Sequence, residues 1–298
     1  MKRRLRARDV TFDTINYILL ALLGFITLYP FYNLLMVSFN DPLDTIRGQV
    51  YFWPNEFTLN NYKIVFQDDA LYMAAVRSVL RTVIGTFLSV GCTMMLAYTL
   101  TRKEFVLRKS INLLIIISMY VSGGIIPSYL LIKGLGLTNS FWVYILPGLI
   151  GVFNVIIMRT SIEGLPEGLI EAARMEGANE FQVLFRIIVP ISLPVLATVT
   201  LFNSVGHWNA WFDNYLYNTR DNLNLLQFEL MKILLQSTSQ MVNNASSTGY
   251  IDSESVKNVT PEAIRATMTV IVTFPILLVY PFLQKYFIKG ALIGAIKE

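Results

Sequence analysis

Six stretches of this chain are apolar for long enough to cross a lipid bilayer, at about 14–38, 76–100, 110–132, 140–160, 184–207 and 263–288. A helix needs about 20 apolar residues to span a hydrocarbon core about 30 Å thick. Inside lipid the backbone must satisfy its own hydrogen bonds, which leaves only helices or a closed barrel, and runs of this length specify helices. Composition agrees: of 298 residues, 54% are hydrophobic and 15% charged, where a soluble domain carries about 25% charged residues. The expected fold is all-α, a polytopic membrane protein with six transmembrane helices in a single domain over residues 1–298.

Basic residues mark the cytoplasmic flanks of membrane spans. They cluster in the tail at 1–13 (Lys2, Arg3, Arg4, Arg6, Arg8), between the second and third spans (Arg102, Lys103, Arg108, Lys109) and at the C-terminal end (Lys285, Lys289, Lys297). The loop after the third span holds only Lys133. Both termini and the loop at about 161–183 are therefore expected in the cytoplasm, although acidic residues there outnumber Arg159, Arg174 and Arg186. The isoelectric point near 9.0 comes from these flanks and implies contact with anionic lipid headgroups, not nucleic acid. The first span, apolar from Ile15 to Val37, is too long for a cleaved signal peptide and lacks a small-residue cleavage site. Cys92, inside the second span, is the only cysteine, so no intrachain disulfide forms and a packing role is expected.

The loop at 161–183 reads Glu171-Ala172-Ala173-Arg174-Met175-Glu176-Gly177-Ala178, followed by Phe185-Arg186-Ile187-Ile188-Val189-Pro190 and Pro194. Pro166 suits the first turn of a helix, where its missing N–H has no partner to lose. Gly177 accepts positive φ and so fits the helix stop. Asn179 with Gln182 has the pattern of a capping box opening a second helix. The loop is thus predicted to be helix, glycine turn, helix, a form that suits docking of another protein.

Glu171, Ala172, Ala173 and Gly177, with Ile187 and Pro190 at their spacing, resemble the EAA loop of the inner-membrane permease subunits of ABC importers. Val189 stands where Leu is commoner, and Glu176 where the sugar branch more often has Asp. The resemblance implies that this loop, with Ala178, couples the chain to a separate ATP-hydrolysing subunit. Further along, Tyr280 to Phe287 with Gly290 and Gly294 to Lys297 looks like the ending of MalG-like carbohydrate permeases. Gly206-His207-Trp208-Asn209 with Trp211-Phe212 is similar to the subgroup for complex or acidic oligosaccharides, of the alginate and pectin-fragment type. What this implies is a permease subunit of a bacterial inner membrane, paired with a homologous second permease and two ABC ATPase subunits. An extracytoplasmic binding protein would deliver the sugar, and ATP and Mg would be bound by the ATPase partner, with no cofactor in this chain.

Several residues carry two readings. Arg77 and Arg81 lie one helical turn apart on one face; they either line an outer vestibule and attract anionic groups, or reach headgroups or an acid such as Asp68 or Asp69. Asn203, His207, Trp208, Asn209 and Trp211 combine amides with aromatic faces, as a sugar site requires, and Trp208 and Trp211 are expected on one helical face. An aromatic belt at the membrane interface is the alternative. His207 is the only histidine, which excludes an H-E-x-x-H zinc motif; no metal site is expected. The external segment at about 209–261 is expected to contain an amphipathic helix over Leu223–Leu235 and a flexible polar run from Ser237 to Asn258.

No phosphate-binding G-x-x-x-x-G-K-[ST] loop occurs, and the spans hold almost no acidic residues of the kind proton-coupled transporters use. The chain is therefore read as a non-enzymatic pore subunit driven from outside. Pro30, Pro127, Pro147, Pro190, Pro194, Pro275 and Pro281, with Gly123-Gly124, predict kinked helices. The alternatives are a gradient-driven secondary transporter, which lacks the internal repeat it would need, and an ABC permease for a non-sugar solute.

Overall fold

The computed structural model describes residues 7–48, 50–67, 69–235 and 260–295. Helices dominate it: α1 Ala7–Ser38, α2 Pro42–Arg47, α3 Asn60–Gln67, α4 Asp69–Thr101, α5 Arg108–Tyr120, α6 Ile125–Gly134, α7 Val152–Glu163 and α8 Glu167–Met175. After these come α9 Glu180–Val183, α10 Val189–Ile191, α11 Leu193–Asn209, α12 Phe212–Tyr217, α13 at 226–235 and α14 Pro261–Ala295. Among the described residues the only strand-like pairing is a bridge between Asn40 and Phe57.

Among the described residues, three helices are long and apolar enough to cross a membrane uninterrupted, within α1, α4 and α14, and a bent pair makes a fourth if it counts as one span. The all-α membrane fold is as expected, while uninterrupted helix length and apolarity alone do not give the expected count of six spans. The predicted span at 110–132 is two helices, α5 and α6, parted at Val121–Gly124, where Gly124 takes φ +84°. The predicted span at 140–160 is a 3₁₀ turn at Phe141–Tyr144, an irregular stretch at 145–151 containing Pro147, Gly148 and Gly151, then α7. The predicted span at 184–207 begins as a π-turn, Leu184–Ile188, and bends by 86° at Ser192 before α11. Proline lacks the N–H that continues a helix, so Pro190 and Pro194 weaken the ladder on both sides of Ser192. Pattern sees apolarity, and breaks inside an apolar run do not change it.

The chain divides into two compact units. The first comprises residues 1–68 and 232–273. In it the segment after α1 folds back on the helix: the Tyr32 hydroxyl donates to the Phe52 carbonyl at 2.6 Å, and the Asn61 amide, fully buried, donates to the carbonyls of Ser38 and Asn40. Asp41 caps α2 by accepting from the Leu43 N–H at 2.9 Å, with Pro42 at the first helical position. The second unit comprises residues 69–231 and 274–298 and is centred on α4, which packs against α7 and α11. Its buried face carries Ala74, Ser78, Gly85, Ser89, Thr93 and Ala97. Small residues at these spacings let helix backbones approach closely where lipid gives no hydrophobic drive.

Candidate functional site

The loop at 161–183 forms the predicted helix, turn and helix. Pro166 sits one position earlier than expected, at the N-cap of α8 with ψ 124°, so the helix starts at Glu167. Gly177 takes φ +83°. Around it the Gly177 N–H donates to the Arg174 carbonyl and the Ala178 N–H to the Ala173 carbonyl, both at 3.0 Å. These are the two bonds of a Schellman stop, which pair carbonyls the helix end leaves open. The capping box is complete: Asn179 and Gln182 each accept the other's backbone N–H through a side-chain oxygen at 2.9 Å.

α8 is two-faced. Ile170 and Ala173, three apart, are buried in the apolar cluster with Met94, Ala97, Tyr98 and Met158. Glu171, Ala172, Met175 and Glu176 face outward, and Met175 is 88% exposed. Of the motif residues, then, Ala173 seats the loop, Gly177 turns it, Ala178 half-buries against the cluster, and Glu171 with Ala172 stays on the open face.

Polar contacts tie the loop to the Thr101 end of α4. The Tyr98 hydroxyl donates to Glu180 Oε2 at 2.6 Å. Arg174 donates to Glu180 Oε1 at 3.0 Å through Nε and to Glu104 Oε1 at 2.8 Å through Nη1. Arg102 lies over the Tyr98 ring, 4.7 Å from its centroid, and Lys103 pairs with Glu167 at 2.6 Å. The bonds from Arg174 hold the Glu104 carboxyl below the usual carboxylate range, and Lys103 does the same to Glu167. Sequence reading did not single out Tyr98, Glu104 or Glu180. The Tyr98–Glu180 and Arg174–Glu104 partners lie 82 and 70 residues apart, and no local pattern announces such pairs.

The other end of α4 carries a second cluster. Arg81, 3% exposed, is gripped by both carboxylate oxygens of Asp213 and donates to the Ala210 carbonyl at 3.1 Å, with its guanidinium 5.2 Å from the Tyr144 ring centroid. Its acid is thus Asp213 and not Asp69, while Asp68 lies outside the described residues. Arg77 donates to the Asn224 carbonyl at 2.7 Å, and the Ser78 hydroxyl accepts from the Leu226 N–H at 2.9 Å. The Tyr144 hydroxyl donates to Asn214 Oδ1 at 3.2 Å and to the Leu223 carbonyl at 3.0 Å. The amphipathic helix expected at Leu223–Leu235 forms at 226–235 after a 3₁₀ turn, and its start is pinned to α4.

The pathway candidates separate. Trp208 and Asn209 help line a cavity of about 610 Å³ with Ser204, Thr82 and Pro275. His207 lies against α4 where Gly85 leaves room, and a Cβ on Gly85 would stand 2.7 Å from its Nε2. The Asn203 amide donates to the Val199 carbonyl of its own helix at 2.9 Å. Trp211 does not share a helical face with Trp208: α11 ends at Asn209, Ala210 is extended, and the Trp211 ring stands edge-on to Phe212. Cys92 lies along an apolar groove of about 670 Å³ between α4 and α11. Among the described residues no group of three or more His, Cys, Asp or Glu side chains is placed to hold a metal. The polar run from Ser237 to Asn258, the cations at 2–6 and Lys297 lie outside the described residues.

Long apolar helices, a broken span and a capped helix–turn–helix loop with an exposed face define a polytopic helical membrane protein. Residues 85–292 match the family "Binding-protein-dependent transport system inner membrane component", and the chain belongs to it. It is accordingly the inner-membrane permease component of a binding-protein-dependent ABC import system and not an enzyme. The polygalacturonan/rhamnogalacturonan transport system permease protein YtcP of Bacillus subtilis (strain 168) is 35% identical over 297 residues, covering 100% of both chains. Protein LplC of the same organism is 37% identical over 286 residues, 96% of this chain and 95% of its own. Among solved structures, a chain of a bacterial ABC transporter involved in the import of the acidic polysaccharide alginate superposes with a TM-score of 0.85 at 25% identity. That match covers 96% of this chain and all of the other.

Proposed function

We propose that this chain is the permease subunit of an ATP-driven importer for oligosaccharides that include acidic sugars. The observation that carries the docking half of this reading is the open face of α8, where Glu171 has no ion pair or hydrogen bond among the described residues and Met175 stands free in solvent. Such a face suits the groove of an ATPase subunit. The sugar half is supported by the full-length likeness to a polygalacturonan/rhamnogalacturonan permease and by the fold shared with an alginate importer.

In this reading the complex holds a homologous second permease, two ATPase subunits that bind ATP and Mg, and an external binding protein. Both termini and the Glu171–Gly177 loop face the cytoplasm, in keeping with the basic flanks. Residues 1–298 act as one permease domain. Closure of the ATPase pair on ATP shifts the loop, the spans open outward to accept sugar, and hydrolysis resets them. Trp208 and Asn209 contribute stacking and hydrogen-bonding groups to the sugar path, with Asn203, His207 and Trp211 near them on the same segment. Arg77 is the better source of anion attraction, since the charge of Arg81 is compensated by Asp213.

The test is co-expression with a second permease and the ATPase, followed by binding-protein-stimulated ATP hydrolysis over neutral and uronic-acid oligosaccharides. Stimulation by uronic-acid chains is the expected result. Stimulation by neutral chains alone removes the acidic assignment, and no stable ATPase association removes the importer reading.

A further inference from the structure

α4 is fastened at both ends. Near Arg81 it is bonded to the segment that follows α11, and near Tyr98 to the loop. The two fastenings lie 17 residues apart on one helix, about 25 Å at 1.5 Å per residue. The Tyr98 fastening has an unusual composition. Tyr98 is 5% exposed, its ring lies within the apolar cluster, yet its hydroxyl leaves that cluster to bond Glu180. A single guanidinium, that of Arg174, then joins α8, α9 and the turn after α4 by bonding Glu180 and Glu104 together.

Beside these bonds lies a cavity of about 630 Å³ lined by Met95, Thr99, Phe105, Phe181 and Leu184. Tyr98, Glu104, Arg174 and Glu180 also line it, so the polar bonds run along its wall. Exposed ion pairs contribute little to stability, so fold maintenance is a poor account of four residues arranged in this way. What they do supply is direction. Apolar contacts of Ile170 and Ala173 permit sliding, whereas a forked guanidinium held between two carboxylates fixes orientation as well as distance.

We propose that Tyr98, Glu104, Arg174 and Glu180 are positioning residues that carry displacement of the loop into α4. α4 then delivers it as a rigid rod to the Arg81–Asp213 cluster and the cavity lined by Trp208 and Asn209. The inference rests on the importer reading above, and it assigns the link to residues outside the Glu-Ala-Ala-Gly motif, apart from Arg174 within its gap.

The experiment uses the reconstituted full complex with its binding protein and a galacturonate oligosaccharide mixture, reading both ATP hydrolysis and uptake. Tyr98→Phe keeps the ring in its cluster and removes only the hydroxyl; Glu180→Gln removes the charge. Each is expected to leave hydrolysis within about two-fold of wild type and cut sugar moved per ATP by about five-fold or more, with the double variant no worse than Glu180→Gln alone, since Glu180 also holds Arg174 and Tyr98 acts through Glu180. Arg174→Lys, which keeps the charge and loses the fork, should fall between. Hydrolysis and uptake declining in parallel, an unchanged ratio, or effects that multiply in the double variant would each overturn the link. A wild-type complex whose hydrolysis ignores the binding protein overturns the importer reading itself, so the two failures are told apart by that control.

Discussion

Gly177 holds the loop's turn at φ +83°, and no neighbour lies within 4 Å of where a Cβ would stand. Its requirement is conformational rather than steric: an L-residue in that region costs about 1–2 kcal/mol. Gly177→Asp is therefore expected to abolish uptake while the chain still inserts at normal levels in the membrane, and Gly177→Asn, a residue tolerant of positive φ, should retain more. Uptake assays beside membrane immunoblots decide it. Gly85 is the opposite case, a glycine required by closeness, because its missing Cβ leaves room for His207. Gly85→Ala should lower the melting temperature of the detergent-solubilised protein, and adding His207→Ala should restore part of the loss. A double variant no better than Gly85→Ala would mean the contact is not the cause. Arg81→Ala strands the Asp213 carboxylate in a half-buried site, and losing one partner of a buried pair costs about 3–5 kcal/mol. Arg81→Lys should recover little, since an ammonium cannot engage both oxygens at once; denaturation midpoints of the two variants read this directly.

Among elements, α4 shows how little side chain a membrane helix needs for close packing. Ser89 and Thr93 are fully buried, and neither hydroxyl has a hydrogen-bond partner in the structure. Ser89→Ala is expected to leave stability unchanged or slightly raised, because an unpaired buried hydroxyl contributes nothing when removed. Ser89→Leu should be severe, since overpacking a close helix contact forces backbones apart. Thermal unfolding of the two variants makes the comparison; an equal loss in both would place the importance in the hydroxyl. The broken span behaves differently. A π-turn at Leu184–Ile188 followed by the bend at Ser192 puts a weak point in the backbone between the loop and α11, and such interruptions concentrate where elements move.

For the molecule as a whole, orientation is the property to test. With Cys92→Ser as a background, Met175→Cys offers a single exposed thiol on the open face of α8. A membrane-impermeant maleimide should label it in inside-out vesicles and not in intact cells, and assembly with the ATPase should shield it. Labelling from intact cells would reverse the assigned topology. How the whole is built was only partly legible beforehand. Local chemistry specified α8, its glycine stop and the capping box, because each bond there spans five residues or fewer. Apolar length specified α1, α4 and α14, because a bilayer-length run has one regular solution.

The sequence alone determined that the chain is helical, that it lives in a membrane and that it presents a capped loop, since these follow from runs and spacings within a few turns of helix. Only the tertiary structure decided where Arg81 finds its acid and how Tyr98, Arg174, Glu104 and Glu180 meet. The Arg81–Asp213, Tyr98–Glu180 and Arg174–Glu104 pairings join residues 70 to 132 positions apart, and at that range partners are chosen by how helices pack, not by what stands beside them in the chain.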